Sequence, residues 1–194
     1  MNLHKSLLNM RATISIWMIS ASLVAGIAAA ADPGPAVGDA FPHSLEAKDQ
    51  HGNDQSLQSL MGENGVAVFF VRSADWCPFC KGQLADANTR VPEFEALGLN
   101  VVSISVDEVE KIAAFASAQN VAYTMLSDPS GDINGSLGIR DEQYPVGTAQ
   151  FGVPRPTLYV IDRSGTIRLR YMEPTFRTRP DLSVVLEDAA KLTF

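Results

Sequence analysis

Cys77 and Cys80 are the only cysteines in the chain, three positions apart in Trp76-Cys77-Pro78-Phe79-Cys80. Thiols at that spacing can form and break a disulfide, a two-electron exchange. The stretch follows an apolar run, Val66-Ala67-Val68-Phe69-Phe70-Val71, that reads as a buried strand. It opens a segment in which Leu84, Ala87, Val91 and Phe94 share one helical face. A dithiol between a strand and the first turn of a helix is a redox site. The thiolate is the reacting species, so its pKa decides reactivity. Cys77 falls at the helix N-terminus, where unpaired N–H groups and the dipole favour an anion. Cys80 lies one turn further in. The expected order is attack by Cys77 and closure of the disulfide by Cys80.

Two other uses of the pair fit less well. A closed loop of about four residues constrains the unfolded chain by only about 2 kcal/mol, too little to explain a purely stapling bond. A structural zinc needs about four ligands, and beyond residue 31 only His43 and His51 would be available; both read as structural. No metal site and no cofactor is implied.

The 194 residues suffice for one domain and a leader. With 46% hydrophobic and 19% charged residues, the chain can bury a core. A net charge of −7 and the lack of a Lys/Arg cluster argue against nucleic acid as a partner. Residues 1–31 read as a signal peptide: Lys5 and Arg11 ahead of an apolar stretch from Thr13 to Ala28, then Ala29-Ala30-Ala31. A membrane association is expected only if this leader stays attached. Its removal takes away two positive charges and no negative ones, leaving −9. The mature domain is then residues 32–194, exported to a periplasmic or extracellular space.

The elements that must position the dithiol follow from pattern. Leu45–Lys48 and Gln55–Leu60 read as a hairpin around Gly52-Asn53. One long helix is expected from Pro78 to about Leu97, ended by Gly98. Val101–Val106 is a strand, and Asp107 with Glu110 predicts a capping box for the next helix, ended by Asn120. Ala122–Leu126 is a strand, Ile133–Leu137 a short helix, and 140–153 a loop covering the site. Thr157–Ile161 and Ile167–Tyr171 form a hairpin, and Leu182–Leu192 a last helix. The order predicts an α/β fold of thioredoxin-like type, a central mixed sheet with helices on both faces.

Phe70-Val71-Arg72 and Trp76-Cys77-Pro78-Phe79-Cys80-Lys81-Gly82-Gln83-Leu84 resemble the active-site strand and helix of peroxiredoxin-like proteins. These form the alkyl hydroperoxide reductase / thiol-specific antioxidant (AhpC/TSA) branch of the thioredoxin superfamily. The likeness continues through Leu126-Ser127-Asp128-Pro129, through Gly152-Val153-Pro154-Arg155-Pro156-Thr157-Leu158-Tyr159-Val160-Ile161-Asp162, and into Arg177-Thr178-Arg179-Pro180. It spans about residues 36–192 and implies an antioxidant thiol enzyme.

The resemblance also implies roles. It puts Cys80 at the peroxide-reactive position and Cys77 where peroxidases carry a Thr. Pro156 stands where the peroxidase pattern has an Arg and where disulfide reductases have a cis-proline that docks extended substrates; Arg155 is one residue earlier. Arg155 and Arg72 are candidates to lower a thiol pKa or hold a substrate, Trp76 to shield the site, and Arg179 to serve the fold.

Cys77 and Pro156 thus favour a thiol–disulfide oxidoreductase acting on disulfide-containing proteins. The flanking sequence favours the alternative, a peroxidase that reduces hydroperoxides at the expense of a thiol electron donor. A metal-binding or copper-handling module is a distant third, because the loop 140–153 offers no His.

Overall fold

The run Val66–Phe70 is apolar at every position because both of its faces are covered. In the computed structural model, which describes residues 33–42 and 45–194, it forms the strand β3 (Gly65–Phe70). The leader expected over 1–31, and His43, lie outside the described residues. Before β3 come β1 (Glu46–Asp49), β2 (Asp54–Ser56) and a single 3-10 turn, Gln58–Leu60. After it come α1 (Pro78–Thr89), α2 (Val91–Ala96), β4 (Leu99–Ser105), α3 (Val109–Gln119), β5 (Thr124–Ser127) and α4 (Asp132–Ser136). The chain closes with β6 (Thr157–Asp162), β7 (Ile167–Met172) and α5 (Leu182–Ala190). The seven strands form one mixed sheet in the order β2-β1-β5-β4-β3-β6-β7. β3 pairs in parallel with β4 and antiparallel with β6.

The alternation along β3 divides the core. Ala67, Phe69 and Val71 join a cluster with Leu84 and Ala87 of α1, Phe94 of α2, Ile112 of α3 and Val185 of α5. Val66, Val68 and Phe70 face the other way, onto Phe41, Leu60, Ile139 and Tyr159, with Ile133 of α4 packed alongside. Helices therefore lie on both faces, as the element order predicts. Among the described residues, no helix is long and apolar enough to cross a membrane.

Two local expectations are corrected. The single helix over 78–97 is two helices that break at Arg90. Pro92 has no N–H to continue the α1 ladder and sits instead in the first turn of α2. Asp107 does not cap α3. Glu108 holds the N-cap position without a side-chain bond, while the Asp107 carboxylate turns into the core. A stronger set of donors there, described next, outcompetes the helix end. Asn120 does end α3, in the left-handed conformation.

Candidate active site

β3 leads into the loop 71–77, and α1 begins at Pro78, whose missing N–H costs nothing in a first turn. Cys77 is the N-cap residue of α1, and its Sγ accepts the N–H of Cys80 at 3.3 Å. Cys77 and Cys80 are joined in a disulfide with a Cα–Cα distance of 5.2 Å, inside the usual range for such bonds. Both are sealed from solvent, at 2% and 0% exposure.

The loop is held from beneath by Asp107, two residues past the end of β4. One carboxylate oxygen accepts the Ser73 hydroxyl at 2.6 Å; the other accepts the Ala74 N–H at 2.6 Å and the Ser105 hydroxyl at 2.8 Å. Ser73 Oγ in turn accepts the N–H groups of Asp75 and Trp76 at 2.9 and 3.0 Å. The chain entering Cys77 is thereby fixed by a buried polar network. Asp75 itself is half-exposed and pairs with Lys111 at 3.1 Å.

The other wall comes from the tail after β7. Arg179 Nη2 donates to Cys80 Sγ at 3.1 Å across 99 residues of chain. Arg179 also donates to the carbonyl of Phe176 at 3.0 Å. Burial lowers its pKa; Glu173 opposes that shift and the like charge of Arg72 adds to it. Arg179, expected to serve the fold, thus also touches the dithiol. It is the arginine that bonds a sulfur, whereas neither Arg155 nor Arg72 does so among the described residues. The likeness over Arg177-Thr178-Arg179-Pro180 is the sequence signal in this tail, and it does not say that Arg179 meets a sulfur.

Arg72 is buried to 5% exposure. Its guanidinium lies 5.0 Å from the ring of Trp76, 5.0 Å from Tyr144 of the loop 140–153, and 4.7 Å from Phe176 of the tail. That loop does reach the site, as expected. Trp76 is exposed at the rim, as is Phe79, whose ring meets Phe176 edge-on at 6.2 Å. Lys81 faces solvent.

Pro156 differs from the expectation. No peptide bond of the described residues is cis. The backbone groups around it are engaged within the fold. Arg155 N–H donates to the Ile139 carbonyl at 2.8 Å, the Arg155 carbonyl accepts the Thr157 hydroxyl at 2.8 Å, and the Pro156 carbonyl accepts the Glu173 N–H at 2.9 Å. The one N–H among these groups, that of Arg155, is therefore already spent inside the fold and cannot pair with an extended peptide. Among the described residues, no group of three or more His, Cys, Asp or Glu side chains could hold a metal ion.

A buried dithiol at a helix N-terminus, on a sheet of this order, defines a thiol-redox protein of thioredoxin-like fold. Residues 37–170 match the model of the AhpC/TSA family, and the chain belongs to that family. It is a thiol-based oxidoreductase. A Mycobacterium tuberculosis protein that carries a peroxiredoxin name, Rv2521, is 34% identical over 130 residues, or 67% of this chain and 80% of that relative. Peroxiredoxin Bcp of Escherichia coli K12 is 26% identical over 149 residues, 77% of this chain and 92% of its own. The crystal structure of peroxidoxin BcpB from Mycobacterium tuberculosis shares the fold with a TM-score of 0.69 at 23% identity, covering 81% of this chain and 98% of that one. Arg179 and Phe176 lie beyond the segment matched to the family model.

Proposed function

We propose that the chain is a thiol-dependent peroxidase in which Cys80 attacks a hydroperoxide and Cys77 resolves the product. The observation that carries this reading is the bond from Arg179 to Cys80 Sγ at 3.1 Å. A guanidinium at that distance stabilises a Cys80 thiolate and the negative charge that develops on the leaving oxygen. In the reduced site the Cys80 thiolate attacks the outer peroxide oxygen. The O–O bond breaks, an alkoxide or hydroxide leaves and takes up a proton, and Cys80 becomes a sulfenic acid. The Cys77 thiolate, favoured by the α1 N-terminus, attacks that sulfur; the disulfide forms and water departs. Two electrons from a thiol donor restore the dithiol. This order reverses the one expected from the helix terminus alone, because Arg179 supplies a full charge and a direct hydrogen bond.

The burial of both sulfurs and the pairing of the backbone around Pro156 favour a small hydroperoxide over a protein disulfide. The peroxiredoxin names of the relatives support the same choice. We place the reaction in an exported compartment on the strength of the leader pattern in residues 1–31; cell fractionation tests that point.

The test of the reaction is rapid mixing of the reduced protein with hydrogen peroxide. Oxidation far faster than that of a free thiol of equal pKa is expected, with sulfenic acid accumulating on Cys80 in a Cys77→Ser variant. Oxidation at the free-thiol rate would return the chain to the disulfide-oxidoreductase reading.

A further inference from the structure

Arg72 is a buried charge without an ion-pair partner among the described residues. A guanidinium carries five N–H donors in one plane. Here its Nε is buried without a partner, and no side-chain nitrogen of Arg72 donates a hydrogen bond to any described residue. Its neighbours are three aromatic faces, which attract positive charge but accept no in-plane N–H bonds. Arg179 stands close by, its own Nε also buried and unpartnered. Neither arginine forms an ion pair among the described residues. Two guanidinium ions, each with a buried Nε unspent, outnumber the one carboxylate that acts on Arg179, that of Glu173, and are costly unless an anion joins them.

The redox state decides when that anion is needed. In the reduced site a Cys80 thiolate lies against Arg179 and offsets one of the two charges. In the disulfide no sulfur carries charge, so the excess positive charge is greatest in the oxidised form. That form meets the electron donor, not the peroxide. We propose that Arg72, in its box of Trp76, Tyr144 and Phe176, is a binding site for the anionic group of the reducing co-substrate, and that this co-substrate is a small thiol bearing a carboxylate or similar oxyanion. The planar fork of Arg72 suits bidentate recognition of such a group. The inference rests on the peroxidase reading only for the direction of electron flow.

The chemistry that follows is balanced. The donor thiolate attacks Cys77 Sγ, the S–S bond breaks, and Cys80 leaves as a thiolate beside Arg179. A second donor thiolate attacks the donor sulfur of the mixed disulfide. Cys77 leaves as a thiolate, and the donor departs as its own disulfide, two electrons poorer. Arg179 stabilises the first leaving group while Arg72 holds the donor.

The experiment follows reduction of the oxidised full-length protein by mercaptopropionate and by mercaptoethanol, with rates normalised to thiolate concentration. The protein's net charge of −7 would by itself disfavour the carboxylate thiol, so the sign of the preference is informative. Mercaptopropionate is expected to react faster by roughly tenfold or more, the weight of one charge-assisted contact. The ratio should fall to one or below in Arg72→Gln and be kept in part in Arg72→Lys, which retains the charge without the fork. Succinate should slow mercaptopropionate and spare mercaptoethanol in the wild-type protein, a result that does not depend on any variant folding. A wild-type ratio at or below one would overturn the proposal, as would a ratio unchanged in a folded Arg72→Gln. A carboxylate preference confined to oxidation, seen with a carboxylate-bearing against a neutral hydroperoxide, would assign the site to the peroxide and overturn its assignment to the donor. Failure of the peroxidase reading shows in the peroxide oxidation rate, which this reduction assay does not use.

Discussion

The loop 73–76 and the tail 173–181 face one disulfide but are secured differently. The loop is anchored into the core: Ser73 and Ala74 bond the buried Asp107, and Ser73 then holds Asp75 and Trp76. The tail is anchored at its ends. Glu173 joins the Pro156 carbonyl, and Asp181 caps α5 by accepting the Ser183 N–H at 2.8 Å. Between them, Thr175 and Thr178 bond within the tail, and Arg179 bonds the carbonyl of Phe176. The core-anchored wall sets where Cys77 lies. The end-anchored wall supplies charge to Cys80.

The strongest way to break this comparison is to remove each sulfur in turn. Cys80→Ser should abolish peroxide consumption, by at least about a thousandfold. Cys77→Ser should keep the first oxidation and lose turnover through the intramolecular disulfide. Equal loss of the first step in both variants, read by single-turnover mixing, would erase the distinction between the walls.

Next comes the tail's charge. Arg179→Met should slow oxidation of Cys80 by roughly 100- to 1000-fold, as for the loss of one donor to a developing oxyanion. It should also raise the Cys80 thiol pKa, since a cation at hydrogen-bond distance favours the thiolate. Thiolate absorbance against pH in the Cys77→Ser background reads this directly. An unchanged titration would mean that the Arg179 contact belongs to the oxidised form alone.

The loop's anchor should show itself as stability more than rate. Asp107→Asn replaces one acceptor oxygen with an N–H₂ group facing donors, and should cost about 1–3 kcal/mol in urea unfolding. A rate loss as large as that of Arg179→Met, without loss of stability, would contradict the anchoring role.

The smallest effect concerns acid. Asp188 of α5 bonds Lys191 and the Tyr171 hydroxyl at 2.8 Å each, tying α5 to the strand from which the tail departs. These bonds, that of Lys191 first, hold its carboxyl below the ordinary Asp value of 3.8. A depressed folded pKa gives a contribution that is present above the unfolded value and lost as pH falls through the folded one. Amide exchange in 172–181, corrected for its intrinsic pH dependence, should therefore rise below about pH 4 in the wild type and lose that dependence in Asp188→Asn.

Several of these features were legible in the residues themselves. The apolar run 66–71, the Pro after Cys77, the helix ends at Gly98 and Asn120 and the succession of strands along the chain are local or periodic signals, and the structure agrees with them. The misreadings share one cause. Asp107 fits a capping box locally, but Ser73, Ala74 and Ser105 offer it a buried, better-matched set of donors. Arg155 adjoins a motif residue, whereas Arg179 reaches the sulfur only because the chain folds back across the sheet.

Taken alone, then, the sequence determined the α/β class, the dithiol and its place at the start of a helix. Residue type, spacing and hydrophobic period act over a few positions and do not depend on what lies opposite. Tertiary structure alone decided which arginine meets Cys80, that Arg72 is boxed by rings from three separate segments, and that the backbone around Pro156 is already paired. Charge and hydrogen bonding act over a few ångströms of space, and such neighbours are set by the closing of the whole chain.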